Sequence, residues 1–328
     1  MQSYEWVDAT SVEQATALLA EGDAKKAVVA KAGGMDLLDL MKEGIISPAR
    51  IVNLKSIKGL DEIHFGEAGG LALGSLVTLT RMAHAPQVRQ RYTALAEAAR
   101  HVATPQVRNA ATIGGNLLQR PRCWYFRNAY FHHIGDGANL ALHGENQYHA
   151  IFDNARSAMV HASTPATALV AYGARVELSG PQGKQRAMAL QDFLLPPDMT
   201  RDRDTLIEDG EVLTGVVVPP LAAGTQAAYH KQTERESYDW PICDVAVVLQ
   251  MEGRRVRAAS IVMGWVAPTP RRAVESEQLL TGRDLSDNLA HEAARAAVAG
   301  ATPLSKNAYK VPVLEAVVRR TILAAATA

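Results

Sequence analysis

The chain has 328 residues, of which 48% are apolar and 21% are charged, so it can bury a large core and is predicted to form two domains rather than one. Its 34 basic residues balance its 34 acidic residues, which leaves no long-range field to attract nucleic acid or an anionic membrane surface, and binding to either is not expected. No apolar run approaches the roughly 20 residues of a membrane span, and the start of the chain lacks the basic and apolar regions of a signal peptide.

The first predicted elements are a helix, a strand, a Gly-Gly turn, a short helix and a second strand. The helix is predicted at residues 12–22, the first strand at 27–30 and the turn at 33–34. The short helix follows at 36–42 and the second strand at 51–54. Ser11 is a typical helix N-cap, and Gln14 stands three residues later, as in a capping box. The start of the short helix after the glycine pair is a suitable place for an anion. These elements form a small first lobe that ends near residue 58.

The second lobe, residues 59–222, alternates strand and helix patterns. Strands are predicted at residues 71–79, 168–178 (as one strand or a pair around a glycine) and 212–218, and a helix is predicted at residues 92–102. A segment rich in Pro and Gly at 219–224 is the predicted linker, so we place the domain boundary at about residue 222. Residues 223–328 then show strands at 244–251 and 258–263 and helices at 290–299 and 311–324, a segregated order that predicts an α+β domain.

Two glycine pairs, Gly33-Gly34 and Gly114-Gly115, point to a bound anion. Glycine leaves backbone N–H groups accessible, so two such loops can hold a pyrophosphate from opposite sides. Neither loop has the Gly-Lys-Ser/Thr of a Walker loop or the GxGxxG of a Rossmann helix, which implies a dinucleotide held in another way. For either pair alone, an ordinary tight turn is the alternative explanation. A bulky residue at Gly33 or Gly114 is expected to exclude the ligand without unfolding the protein.

The strings around these glycines resemble one known family. The segments 31–38 (KAGGMDLL) and 106–117 (QVRNAATIGGNL) are similar, in order and spacing, to the FAD-binding (medium) subunit of the molybdenum hydroxylases. This group includes xanthine dehydrogenase, carbon monoxide dehydrogenase and aldehyde oxidoreductase. Further similar strings lie at residues 74–79, 144–152, 229–231 and 305–311, so the resemblance extends over essentially the whole chain.

The resemblance implies an α+β protein in two parts. Residues 1–222 would form a two-lobed FAD-binding domain of the vanillyl-alcohol oxidase and p-cresol methylhydroxylase type, with lobes at about 1–58 and 59–222. Residues 223–328 would form the smaller C-terminal α+β domain of the flavoprotein subunit, which closes over the isoalloxazine end of FAD. Uncharged N–H donors at turns and helix starts suit the two phosphates of FAD, because they avoid the desolvation cost of a buried ion pair.

The resemblance also implies which residues bind FAD. From the first loop they are Lys31, Ala32, Gly33, Gly34, Met35, Asp36 and Leu37; from the second loop, Thr112, Ile113, Gly114, Gly115 and Asn116. Val102 and Thr104 match a segment that contacts the flavin, although a capped helix end explains Thr104 equally well. Lys231 matches a lysine near the flavin ring, where a cation favours the reduced, anionic flavin; a solvated surface lysine is the alternative.

Two features depart from the family pattern. Thr164 stands where an FAD-binding aspartate is common, and its hydroxyl can accept one of the same hydrogen bonds. Residues 120–127 resemble a branch whose insertion holds a four-iron cluster on four cysteines, but only Cys123 is present. The other three ligand positions fall at about His133, Asn139 and Ser157, which cannot replace thiolates. The nearby histidines lack zinc-site spacing, so no metal is expected on this chain.

The resemblance implies an electron-transfer flavoprotein subunit of a heteromeric molybdenum-containing hydroxylase. The molybdenum cofactor and two-iron, two-sulfur clusters are expected on a large and a small partner subunit, and electrons would pass through the clusters to FAD and on to an external acceptor. No catalytic side chain is expected, because the cofactor performs the redox chemistry. A self-contained flavin oxidase of the same superfamily and a degenerate structural subunit are the alternatives. We expect a cytoplasmic protein, or a periplasmic one if a partner's signal exports the folded complex.

Overall fold

The computed structural model describes residues 3–23, 26–66, 69–134, 140–197 and 203–327. The strands are β1 (Glu5–Asp8), β2 (Val28–Lys31), β3 (Arg50–Asn53), β4 (Ile63–Phe65), β5 (Leu71–Gly74), β6 (Arg175–Ser179), β7 (Gln185–Ala189), β8 (Val212–Val218), β9 (Thr225–Gln232), β10 (Cys243–Glu252), β11 (Arg255–Gly264) and β12 (Arg271–Arg272). The helices are α1 (Val12–Leu19), α2 (Leu37–Lys42), α3 (Leu79–His84), α4 (Pro86–Arg91), α5 (Thr93–Arg100), α6 (Pro105–Ala110), α7 (Ile113–Leu117), α8 (Ala129–Ile134), α9 (Thr164–Ala171), α10 (Leu190–Phe193), α11 (Val274–Leu280), α12 (Asp287–Val298) and α13 (Lys310–Ala325). In these described ranges, none of the helices is both long enough and apolar enough to cross a membrane.

The first lobe is a parallel three-stranded sheet in the order β1-β3-β2, covered by α1. The predicted N-cap of α1 is confirmed at Ser11, whereas the Gln14 side chain bonds the residue before the cap. The Ser11 hydroxyl accepts a hydrogen bond from the backbone N–H of Gln14 at 3.1 Å, and the Gln14 side chain accepts one from the N–H of Thr10 at 2.8 Å. Because β2 ends at Lys31, the glycine pair lies at the carboxyl edge of this sheet, where ligands of parallel sheets bind.

The second lobe is built on an antiparallel five-stranded sheet in the order β4-β5-β8-β6-β7. The strand predicted at residues 168–178 is wrong in its first half, because α9 occupies residues 164–171 and β6 starts at Arg175. Ser163 caps this helix, accepting a hydrogen bond from the N–H of Ala166 at 3.1 Å. All eight residues of α9 are buried, so it shows no polar face, and an apolar run of this kind cannot be told from a buried strand by periodicity.

The C-terminal region is an antiparallel sheet in the order β12-β11-β10-β9 with α11, α12 and α13 after it, which confirms the predicted strand-then-helix order. Three of its elements, β9, β12 and α11, were not among the predicted ones. The side chains of β10 alternate between two cores: Val245, Val247 and Leu249 pack with the C-terminal helices, whereas Ala246 joins the core of the second lobe. Since α5 and α9 pack on this sheet, the C-terminal sheet lies directly against the second lobe.

Candidate functional site

A cleft of about 360 Å³ separates the first lobe from the second, and we call it the interlobe cleft. Its first wall is the end of β2 with the loop 32–36. The opposite wall contains Ser75, the start of α7 and Leu213 of β8, and the segment 203–212 closes one side. A volume of this size is typical of small-molecule and cofactor sites, which commonly hold 300–1,000 Å³.

Most of the residues predicted to bind a dinucleotide line this cleft. They are Lys31, Ala32, Gly33, Gly34, Met35, Asp36 and Leu37 of the first loop, Val102, and Thr112, Gly114, Gly115 and Asn116 of the second loop. The fold therefore brings together two loops that are far apart in the sequence, because β2 ends opposite the start of α7.

The first loop lines the cleft and contains a row of free backbone donors. No acceptor among the described residues takes a hydrogen bond from the N–H groups of Gly33, Gly34, Met35 or Asp36. Gly34 has a φ of +77°, a left-handed conformation that residues with a side chain rarely adopt. Consecutive N–H groups in such a turn form a concave surface that suits phosphate oxygens.

The second loop differs from the expectation, because its backbone donors are already used. The N–H of Gly114 donates to Ser75 O at 2.9 Å, and the N–H groups of Gly115 and Asn116 donate to the Thr112 hydroxyl and carbonyl at 3.2 and 2.8 Å. These bonds form the first turn of α7, with Thr112 as its N-cap. The second loop therefore offers a surface without side chains, which a ligand can approach closely, rather than a second set of free N–H donors.

The four glycines also differ in the direction that a side chain would take. A Cβ at Gly33 would overlap the backbone carbonyl of Ala110, and one at Gly114 would lie 2.8 Å from Ser75 Cβ. Both positions thus require glycine because two protein segments approach closely. An added Cβ at Gly115 would meet only the Thr112 hydroxyl, at 3.3 Å, so this exposed glycine faces the cleft. The expectation that Gly33 and Gly114 tolerate bulky residues without loss of folding is therefore wrong.

Asp36 joins the first loop to the segment 120–127. Its carboxylate accepts hydrogen bonds from the Arg120 backbone N–H at 2.8 Å and the Arg127 guanidinium at 2.6 Å, and it forms an ion pair with Arg122 at 3.0 Å. It makes no side-chain cap bond to α2. Asp39 meets the same two arginines at longer distances, 3.2 Å to Arg127 and 3.6 Å to Arg122. Asp36 therefore holds one wall of the cleft in place.

Several further cleft residues were not among the predicted ones. Arg120 and Asp204 are buried in the cleft wall and form an ion pair there, with 2.8 Å between Arg120 Nε and Asp204 Oδ2. Ser75 and Thr205 also line the cleft, and their buried hydroxyl oxygens have no hydrogen-bond partner among the described residues. Ser75 lies in the similar string 74–79, which is a usable signal, whereas nothing local in the sequence distinguishes Asp204 or Thr205. Unpaired hydroxyls at a cleft wall fit a polar ligand.

Four predicted site residues lie outside the lining of the cleft. Thr104 caps α6 by accepting from the Val107 N–H at 3.4 Å, and Ile113 is buried in the core of the second lobe. The Thr164 hydroxyl donates to Ala98 O at 3.4 Å. Lys231 Nζ donates to His101 O at 2.9 Å and Asp239 O at 2.6 Å, and burial lowers its pKa. A direct role for these four residues remains a prediction.

Cys123, the one cysteine in the segment 120–127, forms a pair with a buried histidine. Its Sγ lies 3.1 Å from His149 Nε2, and burial raises the pKa of the Cys123 thiol to about 11. Of the other expected ligand positions, Ser157 is buried with an unpaired hydroxyl; Asn139 and the side chain of His133 lie outside the described residues. The segment is held by Phe126, which is buried beneath Arg120, and by edge-to-face contacts of Trp124 with Tyr125, Tyr148 and His149.

We expect that Cys123→Ser leaves the cofactor content of the chain nearly unchanged and that iron analysis of the separated subunit finds no iron. A serine hydroxyl retains the donor to His149, and a single thiol cannot hold a cluster that needs about four thiolates. Metal analysis and an absorption spectrum of both proteins check this. About four irons per chain, lost on the substitution, would show that other groups complete a cluster site.

Two family models together match nearly the whole chain. The FAD binding domain in molybdopterin dehydrogenase matches residues 2–221, and the CO dehydrogenase flavoprotein C-terminal domain matches residues 228–325. The aldehyde oxidoreductase FAD-binding subunit PaoB of Escherichia coli (strain K12) is 34% identical over 286 residues, which cover 85% of this chain and 86% of PaoB.

Carbon monoxide dehydrogenases are similar in both sequence and structure. The medium chain from Hydrogenophaga pseudoflava is 30% identical over 302 residues, covering 92% of this chain and 88% of that protein. A solved structure of the carbon monoxide dehydrogenase from Hydrogenophaga pseudoflava, which lacks the Mo-pyranopterin moiety of its cofactor, matches with a TM-score of 0.78 at 28% identity, covering 99% of this chain and 97% of that one.

Proposed function

The chain belongs to the family of FAD-binding subunits of the molybdopterin dehydrogenases, and from this we propose that it passes electrons from partner iron–sulfur clusters through FAD to an external acceptor. The family resemblance and the fold inferred from the sequence are confirmed, and the chain is an FAD-dependent oxidoreductase subunit. We also propose the domain boundary at residue 222; the break between the two matched ranges supports it.

The residues of the interlobe cleft fit FAD, and the free donors of the first loop are the observation that carries this assignment. Four consecutive N–H groups, from Gly33 to Asp36, can meet the negative pyrophosphate without a buried cation. The unpaired hydroxyls of Ser75 and Thr205 suit the polar ribityl and ribose groups. When bound, FAD supplies the redox chemistry, and the protein supplies position and electrostatics.

The chain's own residues would act by holding and shielding the cofactor. The bare surface at Gly115 permits close approach, and the pairs of Asp36 with Arg122 and Arg127 fix the loop 120–127 beside it. Arg122 also stacks its guanidinium over the Trp240 ring, 5.1 Å from the ring centre, so the C-terminal part of the chain contributes to the same end of the cleft.

We propose a large molybdenum-cofactor subunit and a small two-iron, two-sulfur subunit as partners, in keeping with the subunit names of the relatives. We expect a tagged chain, expressed in its own host, to copurify with both, in a complex containing FAD, molybdenum and iron. Native mass spectrometry and metal analysis measure this. A substrate panel of aldehydes and carbon monoxide, chosen from the relatives, should reduce the flavin in the complex and leave the isolated chain oxidised.

Two outcomes would support other functions. An isolated chain that is yellow and fully active on small alcohols or aldehydes would be a self-contained flavin oxidase. A colourless chain that copurifies with both partners would be a structural subunit. We propose a cytoplasmic location for the complex, and cell fractionation of the tagged strain distinguishes it from export with a partner.

A further inference from the structure

The turn at residues 101–104 connects α5 with α6, and its middle residues, Val102 and Ala103, line the interlobe cleft. Ala103 has a φ of +40°, in the left-handed region, although it is not a glycine. Residues with a side chain rarely adopt this conformation, and such strain persists only where the surrounding contacts impose it. The turn is therefore held in its shape by its neighbours.

Two cationic side chains hold the three successive carbonyl groups of this turn. Arg108 Nη1 donates to Val102 O at 2.6 Å and to Ala103 O at 2.9 Å, and Lys231 Nζ donates to His101 O at 2.9 Å. Hydrogen bonds from a charged donor are about twice as strong as those between neutral groups. Arg108 is half-buried and lies outside the lining of the cleft, so it contacts the turn from outside the cleft.

The N–H groups of Ala103 and Thr104 have no hydrogen-bond acceptor among the described residues. Each of them belongs to the same peptide unit as a carbonyl group that Arg108 holds, that of Val102 or that of Ala103. Both peptide bonds are trans, so the N–H and the C=O of each unit point in opposite directions. The two N–H groups therefore point away from Arg108 and are available to a ligand in the cleft.

These two donors suit a different part of FAD from the donors of the first loop. The loop 32–36 already has four free N–H groups for the pyrophosphate. The isoalloxazine ring has carbonyl oxygens and ring nitrogens that accept hydrogen bonds, and it gains negative charge on reduction. Neutral N–H donors with the two cations Arg108 and Lys231 behind them favour such a ring, above all in its reduced form.

We propose that Arg108 is a positioning residue for FAD, an inference that rests on the proposed function. By holding the carbonyl groups of Val102 and Ala103, it keeps the turn 101–104 in the form whose N–H groups donate to acceptor atoms of the isoalloxazine ring. Without this guanidinium, Ala103 would relax to an ordinary negative φ, and the two peptide units would rotate. The donors would then no longer face the ring.

The test is FAD titration of the full-length apoprotein, followed by the midpoint potential of the bound FAD. Arg108→Met keeps an unbranched side chain but removes the donors. We expect it to bind FAD about tenfold more weakly and at a more negative potential, because the N–H donors stabilise the reduced ring. Adding Ala103→Gly should restore most of the affinity, since glycine adopts a positive φ without strain. Arg108→Lys keeps one charged donor and should lose only about threefold.

Arg100→Met is the matched control, because Arg100 lies on α5 beside the same turn, has a side chain that is 53% exposed and pairs with Glu97 instead. It should bind FAD normally. Thermal unfolding of each apoprotein shows which variants fold. If Arg108→Met does not fold, Arg108→Lys with and without Ala103→Gly gives the same comparison.

Wild-type affinity and potential in Arg108→Met would overturn the positioning role and leave the proposed function standing. No recovery on adding Ala103→Gly would also overturn it, because Arg108 would then act through its charge alone. Weaker binding at an unchanged potential would overturn the contact with the ring and indicate a contact with the phosphates. Absence of FAD in the wild-type chain would instead overturn the proposed function.

Discussion

Gly115→Val is expected to remove FAD from a protein that still folds. The valine side chain would extend from an exposed position into the interlobe cleft, where an added Cβ has only the Thr112 hydroxyl near it. Its methyl groups would occupy space that the cofactor needs, and we expect FAD affinity to fall by at least about 100-fold, or about 2.7 kcal/mol. Flavin absorbance after gel filtration, together with FAD titration of the apoprotein, measures the effect.

The control for this prediction is Gly33→Ala. A Cβ at Gly33 would overlap the Ala110 carbonyl, so the loops 32–36 and 110–116 must move apart. We expect this smaller substitution to lower the thermal stability of the apoprotein itself, whereas Gly115→Val leaves it close to that of the wild type. If Gly115→Val purifies with a full complement of FAD, the second loop is not part of the cofactor site.

Asp36→Asn is expected to destabilise the protein and loosen its FAD site together. The carboxylate, whose side chain is 16% exposed, faces both Arg122 and Arg127, whose side chains are 19% and 12% exposed. A neutral amide cannot balance these two buried cations, and breaking a buried pair of this kind costs about 3 kcal/mol or more of folding free energy. Urea unfolding of the apoprotein measures the loss, and FAD titration measures the effect on binding.

Asp39→Asn provides the matched control, since Asp39 meets the same arginines from a side chain that is 48% exposed. Solvent screens this pair, so we expect less than about 1 kcal/mol of destabilisation and normal FAD binding. Equal effects of the two substitutions would contradict the role assigned to Asp36. Loss of FAD by Asp36→Asn with unchanged stability of the apoprotein would instead indicate a direct contact of Asp36 with the cofactor.

The sequence by itself determined the features that depend on neighbours along the chain. The Ser11 helix cap, the apolar strands β10 and β11 of the C-terminal sheet and the turn at Gly33-Gly34 follow from local hydrogen bonding, apolar composition and backbone freedom. The strings around the glycine pairs were also sufficient to indicate the family and its cofactor. Where a segment was apolar on all sides, as in α9, the local pattern was ambiguous and the prediction was wrong for residues 168–171.

Only the tertiary structure decided which of the glycines faces the interlobe cleft, because that depends on what lies opposite each one: a backbone carbonyl for Gly33, and only the Thr112 hydroxyl, at 3.3 Å, for Gly115. It likewise paired Asp36 with Arg122 and Arg127, which lie 86 and 91 positions later in the sequence. A second cavity, of about 450 Å³, is formed by five separate parts of the sequence, near residues 123, 149, 160, 240 and 265. Contacts of this kind arise from the packing of distant elements, and no local periodicity or capping pattern records them.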